Sequence, residues 1–321
     1  MDCDLRGVDS HGVNHLKVYI KGIQSGFVNL HPKTEVFSQA PSTAIMEGDR
    51  GLGFVVGYRA MMEAIRRAKE TGAGFMTLRN NTHIGASAGY SMLALEHDMI
   101  GITMAQTGPL VEAIPPGAMA RGVGTNPISV AIPAGKKHPF VLDMATTVVA
   151  WGKIELAQMK GISMPEGWFV DSEGKSVTDP TTIKYGEGGL LPLGSTPAMG
   201  SYKGFALGVL VDILSGILSG GKAGLQMVRE GPGISNRAHS FFGAIRIDGF
   251  LPADSFKKAM DEMIEAYGAL PTLPGVKKVY IAGGYEAEIT KERKANGIPL
   301  YPKITQELKE LSEELGVEYD L

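Results

Sequence analysis

The chain has 321 residues, and its 31 basic and 34 acidic side chains give a formal net charge of −3. This near-neutral balance argues against a protein that binds nucleic acid or an anionic membrane. The hydrophobic fraction of 44% is too high for a disordered chain. The single cysteine, Cys3, excludes an internal disulfide and fits a reducing compartment. Because no signal-peptide pattern is present either, we expect a cytoplasmic protein with length for about two domains.

The first two thirds of the chain are predicted to contain one helix and then alternating strands and helices. Apolar residues at helical spacing predict a helix from about Val13 to Gln24 that ends near Gly26. Strands and helices alternate from about Lys33 to Tyr202, which predicts an α/β domain with a mixed sheet. The predicted elements are strands in TEVFSQAPSTAIMEGD, a helix in GLGFVVGYRAMMEAIRRAKETG, a strand in GAGFMTLRNN, a helix in GYSMLALEHD, and strands in MIGITMAQT, NPISVAIPA and PFVLDMAT.

The last third is predicted to be mainly helical after a loop-rich stretch. EGWFVDSEGKSVTDP resembles a hairpin, and a long apolar helix begins at Lys203. This helix approaches the length of a membrane span, but Asp212 and its serine and glycine residues favour a buried core helix. The remaining predicted elements are a strand in FFGAIRID, a helix from about Ala253 to Tyr267 and an amphipathic helix in ITQELKELSEELG.

The 43 glycines exceed the usual share of about 7% and suggest many tight turns near a ligand. The segment GLGFVVG at residues 51–57 partly resembles the glycine-rich fingerprint of dinucleotide-binding proteins. That fingerprint requires an acidic residue about 20 residues on, at the end of the next strand. The strand ends instead in Arg79 and Asn80, so we interpret the segment as a glycine-bearing helix start.

Three other glycine clusters carry more weight. GVGTNP at residues 122–127 and TGP at 107–109 lie next to predicted strands, and GSYKG at 200–204 opens the long helix. Free N–H groups at a helix start beside Lys203 could hold a cofactor phosphate. The alternative is a capped helix with a solvated lysine, and the sequence leaves both interpretations open.

Histidines are the main candidates for chemistry. None of the seven has H-E-x-x-H spacing, and a pair formed by His11 and His15 would lack an evident third ligand, so we predict no metal site. His11 lies between Ser10 and Gly12, where the backbone can approach a ligand closely. His83 and Asp143 each follow an apolar run typical of a strand, and ligand sites of α/β sheets lie at the carboxyl ends of strands. A hydrogen-bonded structural role remains the alternative for each histidine.

Several of these motifs together resemble the type 2 malate/L-lactate dehydrogenase family. Its relatives include ureidoglycolate, sulfolactate and diketogulonate dehydrogenases and an imine-reducing branch. The motifs keep their order and cover nearly the whole chain. They are DLRGVDSHGVN, RNNTHIGASAGY, GTNPISVAIP, FVLDMATT, GSYKGFALGVLVDIL and ERKANGIPL.

The resemblance implies a fold and an activity. The fold is α/β, with a non-Rossmann mixed-sheet domain that binds NAD or NADP, residues 33–202, inserted into a mainly helical domain. Both chain ends, residues 1–32 and 203–321, would build that helical domain, so the N-terminal helix would pack on C-terminal helices. The implied activity is hydride transfer between the nicotinamide cofactor and a small 2-hydroxy acid or its 2-oxo form, of the malate, lactate or sulfolactate type. The family usually forms homodimers with the site near the subunit interface.

The resemblance also assigns residues by position. His11 is a candidate proton donor or acceptor with Ser10 beside it, Asp143 would complete that relay, and His83 matches a second family histidine. Histidine suits proton transfer near neutral pH, and the choice between His11 and His83 stays open. The predicted substrate-binding residues are His15, Thr125 and Asn126. The predicted cofactor-binding residues are Thr107, Gly108, Met144, Ala145, Thr146, Lys203, Gly204, Gly283 and Gly284.

Two positions depart from the family pattern. Where the family usually carries Arg to clamp the substrate carboxylate, this chain has His15, which would bind a carboxylate more weakly when neutral. Where the family often shows Pro-Gly-Glu at a cofactor contact, this chain has Ala282, Gly283 and Gly284. The family commonly carries a further helical segment before the DLRG motif, which stands here at residues 4–7.

Several other functions are alternatives to a 2-hydroxy acid dehydrogenase. Within the family, the alternatives are a reductase of a cyclic imine carboxylate and a ureidoglycolate-type dehydrogenase. Outside it, a non-catalytic nucleotide sensor would not need the Ser10, His11, His83 and Asp143 set, and a metal hydrolase would need bound zinc. The expected partners are a small-molecule 2-hydroxy or 2-oxo acid and a second copy of the chain, with no nucleic acid and no membrane.

Overall fold

A computed structural model describes residues 2–108, 110–184, 186–229 and 238–320. Its strands are β1 (Glu35–Ala40), β2 (Thr43–Glu47), β3 (Ala73–Asn81), β4 (Met99–Gln106), β5 (Ile128–Ile132), β6 (Phe140–Met144), β7 (Phe169–Val170), β8 (Gly189–Leu190) and β9 (Ala238–Arg246). Seven strands form one mixed sheet in the order β1-β2-β3-β9-β4-β5-β6, while β7 and β8 form a separate pair. The predicted α/β class with a mixed sheet is confirmed.

Helices pack against the sheet and also form both ends of the chain. They are α1 (Asp2–Leu5), α2 (Leu16–Gln24), α3 (Gly53–Thr71), α4 (Ala88–Ser91), α5 (Trp151–Lys160), α6 (Ser201–Val211), α7 (Gly224–Arg229), α8 (Ala253–Gly268), α9 (Gly284–Asn296) and α10 (Pro302–Leu315). Each helix expected from the periodicity is present, although short 3₁₀ segments form the first turn before α2 and follow α4.

The strand directions bring several loops to one side of the sheet. β9 runs antiparallel to both β3 and β4, so those two strands point the same way. β5 reverses that direction and β6 restores it. The carboxyl ends of β3, β4 and β6 and the start of β5 therefore meet at one edge, which we call the loop edge. Ligand sites of α/β sheets lie at such an edge.

The position of β9 corrects the predicted domain boundary. The resemblance implies that residues 203–321 belong to a mainly helical domain, but β9 lies in the middle of the sheet, between β3 and β4. Buried side chains on both of its faces suit a central strand that is covered on two sides. The hydrophobic pattern predicted a strand here, but its partners are far away in sequence and could not be inferred from it.

The main core lies between α3 and the sheet. α3 packs against β3 and β9, and Ala60, Ala64 and Ala68 on its inner side are fully buried. These small side chains let the helix lie close to the strands, since a Cβ at Gly74 would stand 2.1 Å from the Ala64 carbonyl oxygen. A large side chain buried in this core, such as Phe242, contributes about 1.5–3 kcal/mol to stability.

The predicted hairpin forms only in part. The Asp171 N–H donates to the Lys175 carbonyl at 2.9 Å, and Val170 and Ser176 form a single bridge, so a turn is present. The strand partner of β7, however, is β8. The local pattern therefore indicated the turn correctly, but the strand pairing is between segments distant in sequence.

The two ends of the chain pack together, as expected for the N-terminal helix. The Lys17 ammonium on α2 lies 3.3 Å from a Glu310 carboxylate oxygen on α10, and the Gln24 amide donates to Glu314 at 2.9 Å. α1 packs against α9. The distant partner predicted for the first helix is therefore found among the C-terminal helices.

The long apolar helix has one buried and one exposed side. It begins with α6, continues as a π-helix over Asp212–Gly216 and ends as a 3₁₀-helix over Ile217–Ser219. By length and composition Ser201–Ser219 could cross a membrane, but Gly204, Gly208 and Val211 along one side of it are buried inside the protein. Leu210, Ile213 and Ile217 remain exposed. The expected buried core helix is therefore confirmed for one side only.

Candidate active site

His83 lies at the loop edge, just after β3, and the start of α3 holds its backbone. The Gly53 N–H donates to the Thr82 hydroxyl at 2.9 Å. A Cβ at Gly53 would stand 2.2 Å from the His83 carbonyl oxygen, so glycine is required for this close approach. The interpretation of residues 51–57 as a glycine-bearing helix start is confirmed, since α3 begins at Gly53.

Three aromatic side chains at four-residue spacing surround the His83 ring. The ring centroids of His11, His15 and Tyr19 lie 5.8, 5.7 and 5.9 Å from that of His83. His15 and Tyr19 lie on one side of the helical segment that begins at Val13, and His11 lies in the separate 3₁₀ turn Asp9–His11 before it. The structure thus brings together the predicted residues His11, His15 and His83. Tyr19 was missed, although the periodicity of four from His11 could have indicated it.

Each candidate catalytic imidazole has its Nδ1 atom bonded to a hydroxyl. Ser10 Oγ lies 2.9 Å from His11 Nδ1, and the Tyr19 hydroxyl oxygen lies 2.8 Å from His83 Nδ1. Among the described residues, the Nε2 atoms of both rings have no hydrogen-bond partner. Both atoms are therefore free to exchange a proton with a ligand.

Both imidazoles are neutral at physiological pH. Burial, and then the neighbouring His15, lower the pKa of His11 to about 4. Burial, followed by His11 and His15, lowers the pKa of His83 to about 3. Burial also raises the pKa of Tyr19, so its hydroxyl keeps its proton. His83 nevertheless remains accessible to solvent, so its ring can meet a ligand, and perturbed pKa values of this kind are typical of ligand sites.

A cavity of about 490 Å³ adjoins His11 and Tyr19. Its walls are mainly apolar, and they include Leu16, Phe54, Ile84, Tyr90 and Leu93. A cleft of this size with few polar groups suits a small organic ligand.

Asp143 takes a different partner from the one expected. Its Oδ2 accepts the Ala88 N–H at 2.8 Å, at the start of α4. No hydrogen bond joins it to His11 or His83 within the described part of the chain, so the relay contact expected from the resemblance is absent here. Desolvation raises the pKa of Asp143 to about 6, although the Ala88 N–H and the charge of Arg6 act in the opposite direction.

The loops at the loop edge hold several predicted binding residues close together. The Thr107 N–H donates to Asn126 Oδ1 at 3.2 Å, and the Thr146 N–H donates to the Thr125 carbonyl at 2.8 Å. Gly108 follows with a left-handed φ of +68°. Met144 is the last residue of β6 and pairs with Ile128, the first residue of β5, at the same edge. Ala145 follows it in the chain.

Asn126 is a correction to the predicted substrate contacts. Its side chain is fully buried, and its amide donates at 2.9 Å both to the Gly208 carbonyl and to Asp212 Oδ1. Gln106 also donates to Asp212 Oδ1, at 2.9 Å. The amide of Asn126 therefore links the loop edge to the π-helix and is not available to a substrate.

Lys203 and Gly204 lie in the first turn of α6. The N–H groups of both already donate, to the carbonyls of Gly200 and Leu193, so the expected row of free N–H groups is mostly occupied. The Lys203 ammonium is exposed and lies 5.9 Å from the ring of Tyr202. An anion at this helix start would therefore depend on the lysine side chain.

Gly283 and Gly284 lie apart from the other predicted cofactor residues. A Cβ at Gly283 would stand 2.9 Å from the Pro139 carbonyl oxygen and 2.9 Å from the Val141 nitrogen. These contacts are at the start of β6, whereas Met144 ends the strand at the loop edge. Among the described residues, no group of three or more His, Cys, Asp or Glu side chains could hold a metal ion.

A mixed-sheet fold with two neighbouring neutral imidazoles near its loop edge is typical of α/β enzymes that act on small molecules. Comparison with known proteins narrows this class, because the family model described as malate/L-lactate dehydrogenase matches residues 1–309. The chain belongs to this malate/L-lactate dehydrogenase family.

Individual relatives support the same assignment. The chain is similar to a malate dehydrogenase of Pyrococcus horikoshii, with 45% identity over 98% of this chain and 86% of the relative. It is also similar to an L-sulfolactate dehydrogenase of Methanocaldococcus jannaschii, with 36% identity over 99% of this chain and 88% of the relative. Among solved structures, a malate dehydrogenase from Entamoeba histolytica superposes with a TM-score of 0.94 at 30% identity, covering 100% of this chain and 90% of the other.

Proposed function

We propose that the chain is a nicotinamide-dependent dehydrogenase that interconverts a small 2-hydroxy acid and its 2-oxo form. One observation carries the proposal: the rings of two neutral imidazoles, His11 and His83, lie with centroids 5.8 Å apart, and the Nε2 atom of each is free to exchange a proton. Oxidation of a hydroxy acid removes a hydride from carbon and a proton from oxygen, so the reaction needs such a base.

The cofactor supplies and accepts the hydride when it is bound. The residues near the loop edge fit a nicotinamide dinucleotide: Lys203 contributes an exposed ammonium, and the hydroxyls of Thr107 and Thr146, which each donate to a backbone carbonyl, can still accept hydrogen bonds. Thr125 stays a proposed substrate contact. We propose that Lys203 holds a phosphate and that Gly108, Met144 and Ala145 contact the cofactor. Gly204 and the separately placed Gly283 and Gly284 stay proposed contacts.

The chain's own part of the reaction is proton transfer and substrate orientation. A neutral Nε2 of His83 or His11 accepts the hydroxyl proton during oxidation and returns it to the oxygen during reduction. Ser10 bonds to His11 and restrains its ring. We propose that His15, whose ring centroid lies 5.7 Å from those of both histidines, contacts the substrate carboxylate in place of the arginine of other family members.

The substrate class is proposed from the relatives. Two Pyrococcus proteins named malate dehydrogenase are 45% and 43% identical to this chain, so malate is the first substrate to test, and sulfolactate is the second. A cyclic imine carboxylate remains an alternative without an observation that favours it.

We also propose a cytoplasmic homodimer. The exposed apolar residues Leu210, Ile213 and Ile217 on one side of the long helix support an interface with a second copy. Light scattering after size-exclusion chromatography should give the mass of two chains. A single-chain mass at the concentration of the assay would contradict the dimer.

Turnover assays test the function directly. NADH and NADPH are each mixed with oxaloacetate, pyruvate, sulfopyruvate and a cyclic imine carboxylate, and the nicotinamide absorbance is followed. We expect oxidation of at least one cofactor by a 2-oxo acid, and a loss of about 10²-fold or more in His83→Ala or His11→Ala. No turnover with any 2-oxo acid would contradict the function, and full activity of both variants would contradict the site.

A further inference from the structure

The two candidate catalytic histidines are restrained in the same way by different residues. Ser10 bonds to Nδ1 of His11, and Tyr19 bonds to Nδ1 of His83. The serine is the direct neighbour of its histidine in the sequence, while Tyr19 reaches His83 from another element, 64 positions away. In the described structure, Tyr19 is the one hydrogen-bond partner of the His83 side chain.

The Tyr19 ring is itself held in place by its surroundings. Its centroid lies 4.9 Å from that of Phe54 in an edge-to-face arrangement with an interplanar angle of 81°. It stacks on His83 at an interplanar angle of 20°. α2, which carries Tyr19, is joined to α10 by the ion pair of Lys17 and Glu310. A hydroxyl fixed in this way restricts both the position and the rotation of the imidazole that it binds.

The bond between the Tyr19 hydroxyl and His83 Nδ1 is compatible with either neutral tautomer, and the proposed reaction selects one of them. A neutral imidazole has one N–H donor and one acceptor nitrogen. If Nε2 is to accept a proton from a hydroxy acid, it must carry the lone pair, and the N–H must then be on Nδ1. The Tyr19 oxygen accepts that N–H, and the same bond persists when the ring becomes an imidazolium.

We propose that Tyr19 is a positioning residue that holds His83 in the Nδ1–H tautomer with Nε2 directed to the substrate. This inference rests on the proposed function. Tyr19 acts only through His83, so its contribution should disappear when the imidazole is removed. A residue that touched the substrate would contribute in either background.

A double-mutant cycle with Tyr19→Phe and His83→Ala tests this. Phenylalanine keeps the ring packing against Phe54 and removes only the hydroxyl. We expect Tyr19→Phe alone to lower kcat by about 10- to 100-fold, because a misplaced catalytic group costs up to about that factor, with an unchanged KM for the nicotinamide cofactor. In the His83→Ala background the same substitution should have no further effect.

Two outcomes would overturn the proposal. One is a wild-type kcat in Tyr19→Phe, and the other is an equal loss in both backgrounds, which would mean that Tyr19 acts independently of His83. Tyr319→Phe is the matched control, because it removes a tyrosine hydroxyl that bonds to the Thr305 carbonyl on α10 at 3.4 Å. We expect wild-type kinetics from it.

Imidazole nitrogen NMR of the unmodified protein gives an independent readout. Long-range proton–nitrogen spectra, assigned by comparison with His83→Ala, should show His83 as a single neutral tautomer with its proton on Nδ1. Averaged tautomers or a proton on Nε2 would overturn the proposal even if Tyr19→Phe failed to fold. Absence of turnover in the unmodified protein would refute the proposed function, whereas this spectrum would still decide the restraint on His83.

Discussion

Gly53→Ala is expected to disturb the site through the backbone rather than through a side chain that touches substrate. The new Cβ would stand 2.2 Å from the His83 carbonyl oxygen, 2.6 Å from the His83 carbonyl carbon and 2.7 Å from the Thr82 carbonyl oxygen. Close carbon–oxygen contacts in proteins are about 3.3 Å or longer. The segment that carries His83 must therefore move by about 1 Å.

This displacement sets the expected size of the effect. A misplacement of about 1 Å at a catalytic group costs about 10²-fold in rate, and overpacking a buried site costs about 1–3 kcal/mol in stability. We therefore expect kcat/KM to fall by about 10²-fold while the protein still folds. Steady-state kinetics and thermal unfolding measure the two effects separately.

Gly268→Ala provides the matched control. Gly268 ends α8, its added Cβ would meet no atom within 4 Å, and its φ is not positive. We expect unchanged kcat/KM and a small gain in stability, since alanine is favoured over glycine in helices by about 0.5–1 kcal/mol. Wild-type kcat/KM in Gly53→Ala would show that the helix start does not position His83, and the reasoning above would be refuted.

Two further predictions concern pH. The rate of hydroxy-acid oxidation should stay constant through neutral pH and decline only as the pH falls through about 4, because the pKa of His11 is about 4 and that of His83 is about 3 and the base must be neutral. Both folded pKa values lie below the unfolded value of about 6.5, so the free energy of unfolding decreases as the pH falls below that value. A decline in the rate already near pH 6.5 would contradict the burial of the two histidines. Glu112→Gln should raise the melting temperature at pH 8 and leave it nearly unchanged at pH 5, because burial raises the pKa of Glu112 to about 7. The folded pKa of Glu112 lies above the unfolded one, so stability is lost as the pH rises and the carboxylate ionises. Equal changes in melting temperature at pH 5 and pH 8 would disprove this reasoning.

Local sequence signals predicted most elements of the fold correctly. α3 ends where expected, at Gly72 with a φ of +87°, because glycine favours this left-handed conformation at a helix end. The strands β3 and β4 follow the hydrophobic pattern in the same way. The place of β9 in the sheet could not be predicted, because strand order depends on contacts between residues far apart in the chain.

In the candidate site, too, the sequence predicted which residues matter but not which partners they contact. The motifs around His11 and His83 identified two histidines that the structure brings within 5.8 Å, measured between ring centroids. The motifs did not show that Asn126 donates to Asp212 or that Asp143 accepts from Ala88. A sequence signal can identify a residue type suited to chemistry, whereas its hydrogen-bond partners follow from how the elements pack.

The central place of β9 sets an order in which the sheet can be completed during synthesis. β3 and β4 leave the ribosome early, and the strand that joins them is translated only after α7. Until then, one edge of each strand lacks its partner, and open strand edges readily recruit strands of other chains. Pairings between distant segments also form slowly. A growing chain therefore keeps the inner edges of β3 and β4 open until β9 emerges, and premature termination ahead of that strand leaves the sheet in two unjoined parts.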